Sequence, residues 1–127
     1  MYPRRVGVVA FVSGHLDLQD DEFERHYVPQ IEAARAAGAS FVVGDARGAD
    51  CLFQRYAREC GLAVRVFHML EGPRHNLGDA PTVGGFTSDA ARDAAMTAAS
   101  TLDIAWVRPG RERSGTAENL RRRARRG

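Results

Sequence analysis

The sequence predicts an α/β fold: one domain built on a mainly parallel sheet with helices on both faces. Three observations predict it. Strand-like and helix-like segments alternate along all 127 residues, the order that repeated βα units produce. The strand-like runs are nearly continuously apolar, as in Val6, Val8, Val9, Ala10, Phe11 and Val12, which suits strands covered on both faces. Three of these runs end in small-residue or polar turns that lead into helix starts. In parallel sheets of this kind, ligands sit beyond the carboxyl ends of the strands, where the strand order reverses.

The first strand is expected from Arg5 to Val12, ending in Ser13-Gly14-His15. An acidic helix start follows at residues 17–22, and the helix runs to about Ala37 with Phe23, Tyr27, Ile31 and Ala34 on its inner face. Pro29 is expected to kink or split it, and Gly38 to end it. The second strand is Ser40–Val43. Gly44-Asp45-Ala46-Arg47-Gly48-Ala49-Asp50 then forms a glycine-bracketed turn, with Asp50 as the expected cap of a helix reaching Cys60. Leu52, Phe53, Tyr56, Ala57 and Cys60 fall on one face of that helix. The third strand is Leu62–Phe67. Residues 71–87 are rich in breakers and read as a long loop or lid. A third helix is expected from Ser88 to Ser100, capped by Ser88 or Asp89, with Ala91, Ala95, Met96 and Ala99 inward. The fourth strand is Thr101–Val107. A polar turn then leads to a last helix that starts near Thr116 and carries an arginine-rich tail, residues 121–127.

Composition narrows the function classes. A chain of this length makes one domain with a real core. No apolar run approaches the ~20 residues of a membrane span, and no cleavable leader is read at the start, so a cytoplasmic location is expected. Cys51 and Cys60 lie nine residues apart on one helix, on opposite faces, so they are not expected to pair. Cys60 reads as a core residue and Cys51 as a partly exposed one. No cysteine or histidine spacing suggests a metal site, and no cofactor is expected. All 18 basic residues are arginine, and five crowd the C-terminus. That tail offers either a nucleic-acid contact or a solvated helix end that complements the dipole.

Gly44-Asp45-Ala46-Arg47-Gly48-Ala49-Asp50, Arg92-Asp93-Ala94-Ala95-Met96 and Gly115-Thr116-Ala117-Glu118 together resemble the SLOG superfamily, in particular its small stand-alone bacterial branch. The likeness spans nearly the whole chain in the right order. It implies a Rossmann-like fold, a nucleotide or nucleotide-derived ligand, and a homo-oligomer. In the superfamily's phosphoribohydrolases a helix arginine and the glutamate of a Gly-Thr-x-x-Glu motif are catalytic. Arg92 matches the arginine, whereas Asn119 stands at the glutamate position and Glu118 is one residue early. The middle motif has Asp45 where the branch usually has a second glycine.

Ligand contacts are accordingly expected from Ser13, Gly14 and His15; from Gly44, Asp45, Arg47, Gly48, Ala49 and Asp50; from Met96; and from Gly110, Ser114, Gly115 and Thr116. Glycine turns and helix N-termini offer free amides to an anion. Arg92 suits a phosphate bidentately, the alternative being a salt bridge to Asp89 or Asp93. Glu118 is the candidate for acid/base work, the alternative being a first-turn glutamate that complements the dipole. The leading function is nucleotide binding. Hydrolysis of the N-glycosidic bond of nucleoside monophosphates and nucleic-acid binding through the tail are the alternatives.

Overall fold

Five strands form one all-parallel sheet in the order β4-β3-β2-β1-β5. The structure, a computed structural model, describes residues 7–70, 72–77 and 79–126. The strands are β1 (Val9–Val12), β2 (Ser40–Val43), β3 (Val64–Met69), β4 (Thr82–Phe86) and β5 (Leu102–Ile104). The helices are α1 (Asp20–His26), α2 (Val28–Ala36), α3 (Ala49–Cys60), α4 (Asp89–Ala99) and α5 (Gly115–Arg126). This is a Rossmann-like arrangement in a single small domain. Arg5 and Val6, the expected start of the first strand, lie outside the described residues.

Alternation along the strands divides the core into two layers. Ala10, Val12, Phe41, Val43, Val66 and Ile104 pack with Phe23, Ile31, Phe53 and Ala57 of α1, α2 and α3 and with Tyr27 between α1 and α2. Phe11, Val42 and Phe67 face the other way, onto Met96 of α4. Helices therefore cover both faces, and the central strands are apolar on both sides. No helix among the described residues is long and apolar enough to cross a membrane.

The expected first helix is two helices. Pro29 lies in the first turn of α2, where its missing N–H leaves no hydrogen bond unmade. The break falls at Tyr27, whose buried hydroxyl donates to the Ser13 carbonyl at 2.7 Å and accepts the Trp106 amide at 3.2 Å. One side chain thus joins the carboxyl ends of β1 and β5. Burial raises its pKa above the ordinary tyrosine value.

Several sequence expectations are corrected. Residues 71–87 are not all loop, because Thr82–Phe86 forms β4 at the sheet edge. Gly84 and Gly85 masked it, and an edge strand needs only one ladder. A Cβ at Gly84 would collide with the His68 ring. Asp50 does not cap α3. It lies within the first turn, and Gly48 holds the cap position with φ of 74°. A side chain at Gly48 would run into the carbonyls of His15 and Leu16. On α4, Ser88 caps by accepting the Ala91 amide at 3.0 Å. Ala91 is exposed, while Arg92 and Thr97 are buried beside Met96. Cys51 and Cys60 are both free and partly exposed, so Cys60 is not a core residue.

Candidate functional site

The strand register sets the site. Val12 is level with Val43 on one side and with Ile104 on the other, so the turns after β1, β2 and β5 emerge side by side. The strand order reverses next to β1, the place where open α/β sheets take ligands. The first turns of α4 and α5 close the space, leaving a cavity of about 460 Å³. Ser13, Gly14 and His15 line it from the turn after β1, Gly44 and Arg47 from the turn after β2, and Asp50 from the first turn of α3. Arg92 and Met96 line it from α4, and Ser114, Gly115 and Thr116 from α5.

Five of the expected site residues do not line this cavity. Asp45 lies beneath it, fully buried. Ala49 and Gly48 are taken up by packing. The Ala49 amide donates to the His15 carbonyl at 3.1 Å, and Gly48 backs onto the same turn. Gly110 is exposed, and its amide donates to Glu112 Oε1 at 3.1 Å. Glu118 is turned away because it sits two residues after Thr116, about 200° around the helix. Its carboxylate takes hydrogen bonds from Arg125 at 3.0 Å and Arg121 at 3.1 Å, which hold its pKa below the usual glutamate value. Asn119, three residues after Thr116, is on the cavity side instead.

Arg92 is not an unpaired cation. Its Nη1 donates to Asp45 Oδ1 at 2.9 Å, and its Nη2 lies 3.2 Å from Asp89 and 3.3 Å from Asp93. Asp45 also accepts the Arg74 amide at 2.8 Å and the Arg74 side chain at 2.9 Å. Burial pushes the Asp45 carboxyl up, but Arg74 and Arg92 outweigh it and hold its pKa below the ordinary value. Asp45 thus pairs with Arg74 and Arg92, not with its neighbour Arg47. Gly44, Arg47 and Asp50 of this segment line the cavity, while Asp45 is committed to its two arginine partners beneath it.

The end of α5 differs. Ser114 Oγ accepts the Ala117 amide at 3.2 Å, and the Ser114 carbonyl accepts the Glu118 amide at 3.0 Å. Among the described residues no protein group accepts from the amides of Gly115 or Thr116. A Cβ at Gly115 would meet nothing within 4 Å. Across the cavity the Ser13 hydroxyl, on a residue 7% exposed, has no hydrogen-bond partner. His15 Nε2 accepts the Arg108 amide at 2.9 Å, which leaves the neutral ring's proton on Nδ1. Burial, and then the charges of Arg108 and Arg111, lower the pKa of His15, so the imidazole is neutral.

Comparison with known proteins adds no identity: no protein-family model matches the chain, and no curated protein or solved structure matches it.

The cavity wall carries the carboxyls of Asp17, Asp50, Asp89 and Asp93 against the guanidiniums of Arg47, Arg92 and Arg111. Burial raises the Asp93 carboxyl, with Arg92 and Asn119 opposing. Arg108, missed in the sequence, ties the turn after β5 to the one after β1. It pairs with Glu22 at 2.6 Å and Asp17 at 3.0 Å. The hydrogen bonds of Arg111 and Arg108 hold Asp17 down to about 2. Asn119 was findable from helix phase, as the residue on Thr116's face. No cluster of His, Cys, Asp or Glu among the described residues is placed to hold a metal ion.

Proposed function

We propose that this cavity binds a nucleotide or a nucleotide-derived ligand, with a phosphate at the amino end of α5. One observation carries the reading: the unpaired amides of Gly115 and Thr116 lie on a cavity that is also lined by Ser13, whose buried hydroxyl has no partner. Helix amides and the positive end of the dipole favour a phosphate there. Arg47, exposed at the rim, adds positive charge on the approach, while Arg111, also on the rim, is paired with Asp17 at 2.7 Å. A cavity of this size suits a small-molecule ligand. The segments whose motifs resemble those of SLOG proteins supply Gly44, Arg92 and Gly115 to its lining, which supports the reading.

The hydrolase alternative needed Glu118, whose carboxylate is held by Arg121 and Arg125 outside the cavity. The tail alternative needed free arginines. Arg121 and Arg125 donate to Glu118, Arg122 to Asn119, and Arg123 to Ser100 and Asp103, which leaves only Arg126 of the five without a partner among the described residues. Binding of a small ligand is therefore the function supported best.

Calorimetric titration with adenosine 5′-monophosphate tests it. The wild type is expected to bind with a dissociation constant on the order of micromolar. Gly115→Leu fills open space, so its unfolding midpoint stays at the wild-type value while affinity drops at least about tenfold. Equal affinity in the variant, or no binding by any nucleoside phosphate, contradicts the proposal.

A further inference from the structure

We propose that Asp50 presents a proton to this cavity and that the proton governs anion binding. Protonated, the carboxyl donates to the ligand; ionised, it repels it. The inference rests on the reading of the cavity as a nucleotide site and names the group that makes such binding depend on acidity.

Geometry isolates this carboxyl. Asp50 stands in the first turn of α3, 7% exposed, on the cavity wall. Its Oδ2 accepts the Ala46 amide at 3.1 Å. It also lies directly behind Gly44, where a Cβ would come within 2.7 Å of it. Among the described residues no group donates to Oδ1. Charged and titratable groups face it from each neighbouring element: Asp45 and Arg47 from its own turn, and Asp89, Arg92 and Asp93 from α4. The β1 turn adds His15 and Asp17, Tyr27 stands between α1 and α2, Arg111 precedes α5, Arg74 lies in the segment after β3, and Cys51 follows Asp50 on α3. Arg92 is the cation that favours the ionised form of Asp50, yet its guanidinium is held by Asp45, Asp89 and Asp93. Asp50 is thus a buried carboxyl with one amide and no salt-bridge partner, in a wall that already holds three other acids.

Such a group resists ionisation. Burial is the main cause, with Asp93 and Asp45 adding to it and the Ala46 amide and Arg92 opposing, and the carboxyl is pushed up to about 7. Beside a phosphate the two protonation states act in opposite senses. The O–H supplies a hydrogen bond, and the carboxylate adds like charge in a partly desolvated space.

The test measures adenosine 5′-monophosphate affinity from pH 6 to pH 8 in the wild type, Asp50→Asn and His15→Gln. The ratio of wild-type to Asp50→Asn dissociation constants cancels the ligand's own ionisation. It is expected to rise about tenfold over that range, as one linked proton requires, and His15→Gln, whatever its affinity, is expected to show the same ratio of dissociation constants between pH 6 and pH 8 as the wild type. A ratio that does not change with pH, or a profile that flattens in His15→Gln, overturns the proposal. Carbon-13 spectra of the unliganded wild type follow the Asp50 carboxyl directly. A midpoint near neutrality supports the proposal, and one in the ordinary aspartate range overturns it whether or not a nucleotide binds. Where adenosine 5′-monophosphate does not bind, the comparison is repeated with inorganic phosphate. A wild-type to Asp50→Asn ratio that rises with pH sustains the role of Asp50 and overturns only the nucleotide reading. Phosphate binding absent at every pH overturns both.

Discussion

Asp45→Ala is expected to destabilise the protein by about 3 kcal/mol, the low end of the cost of breaking a buried ion pair, and to lower its melting temperature by roughly 10 °C. Asp45 is fully buried and accepts from Arg92 Nη1 at 2.9 Å, from the Arg74 amide at 2.8 Å and from Arg74 Nη2 at 2.9 Å. Removing it leaves the Arg92 guanidinium, 7% exposed, without its buried partner. Asp89 and Asp93 remain to Arg92, which is why the low end applies. Arg74 is half exposed and regains water, but the segment at residues 72–77 loses its tie to the turn after β2. Urea unfolding at pH 7 measures the loss. Asp45→Asn, which keeps an acceptor, is expected to lie between the two. A loss under about 1 kcal/mol would mean that this pair contributes no more than an exposed one. The folded-state pKa of Asp45 is depressed, so its contribution is present above the unfolded aspartate value and fades as pH falls through the folded one.

Asp50 has the opposite sign. Its folded pKa is raised to about 7, so the folded protein binds this proton more tightly than the unfolded chain does. Stability then falls as pH rises from about 4 to about 7, and above 7 the full cost is present. The shift corresponds to a ceiling of about 4 kcal/mol. Asp50→Asn removes the charge and keeps an acceptor for the Ala46 amide. The variant is expected to gain on the wild type steadily across that window and to hold its advantage at pH 8. Asp17 and Glu22, both held near 2 by their arginine partners, bring stability that is lost on acidification. They act equally in both proteins and drop out of the difference. Chemical unfolding of the pair at half-unit intervals of pH makes the comparison. A difference that stays level with pH would show that Asp50 is ionised in the folded protein throughout.

Both effects come from carboxyls whose surroundings only the fold creates. The sheet itself was legible: near-continuous apolar runs marked β1, β2 and β3, and the break at Pro29 and the cap at Ser88 followed from local chemistry. β4 was hidden by Gly84 and Gly85, because an edge strand packed on the His68 and Phe67 rings needs no apolar run of its own. The convergence of the three turns was legible because parallel strands must end on one side. What each residue does there was not. Asp45 is level in the chain with residues that line the cavity, yet a buried ion pair with Arg92, 47 residues away, draws it beneath the floor. Glu118 and Asn119 are neighbours in the chain, and only the phase of α5 decides which of them faces inward.

Backbone amide shifts of nitrogen-15-labelled protein, followed during titration with adenosine 5′-monophosphate, report whether distant segments form one anion-binding cavity at the carboxyl edge of the sheet. Ser13, His15, Arg47, Gly115 and Thr116 are expected to move together with a single dissociation constant. Shifts confined instead to the separate cavity between α3 and β3, lined by Arg65, Asn76 and Ala80, or spread over the arginines of α5, would contradict it.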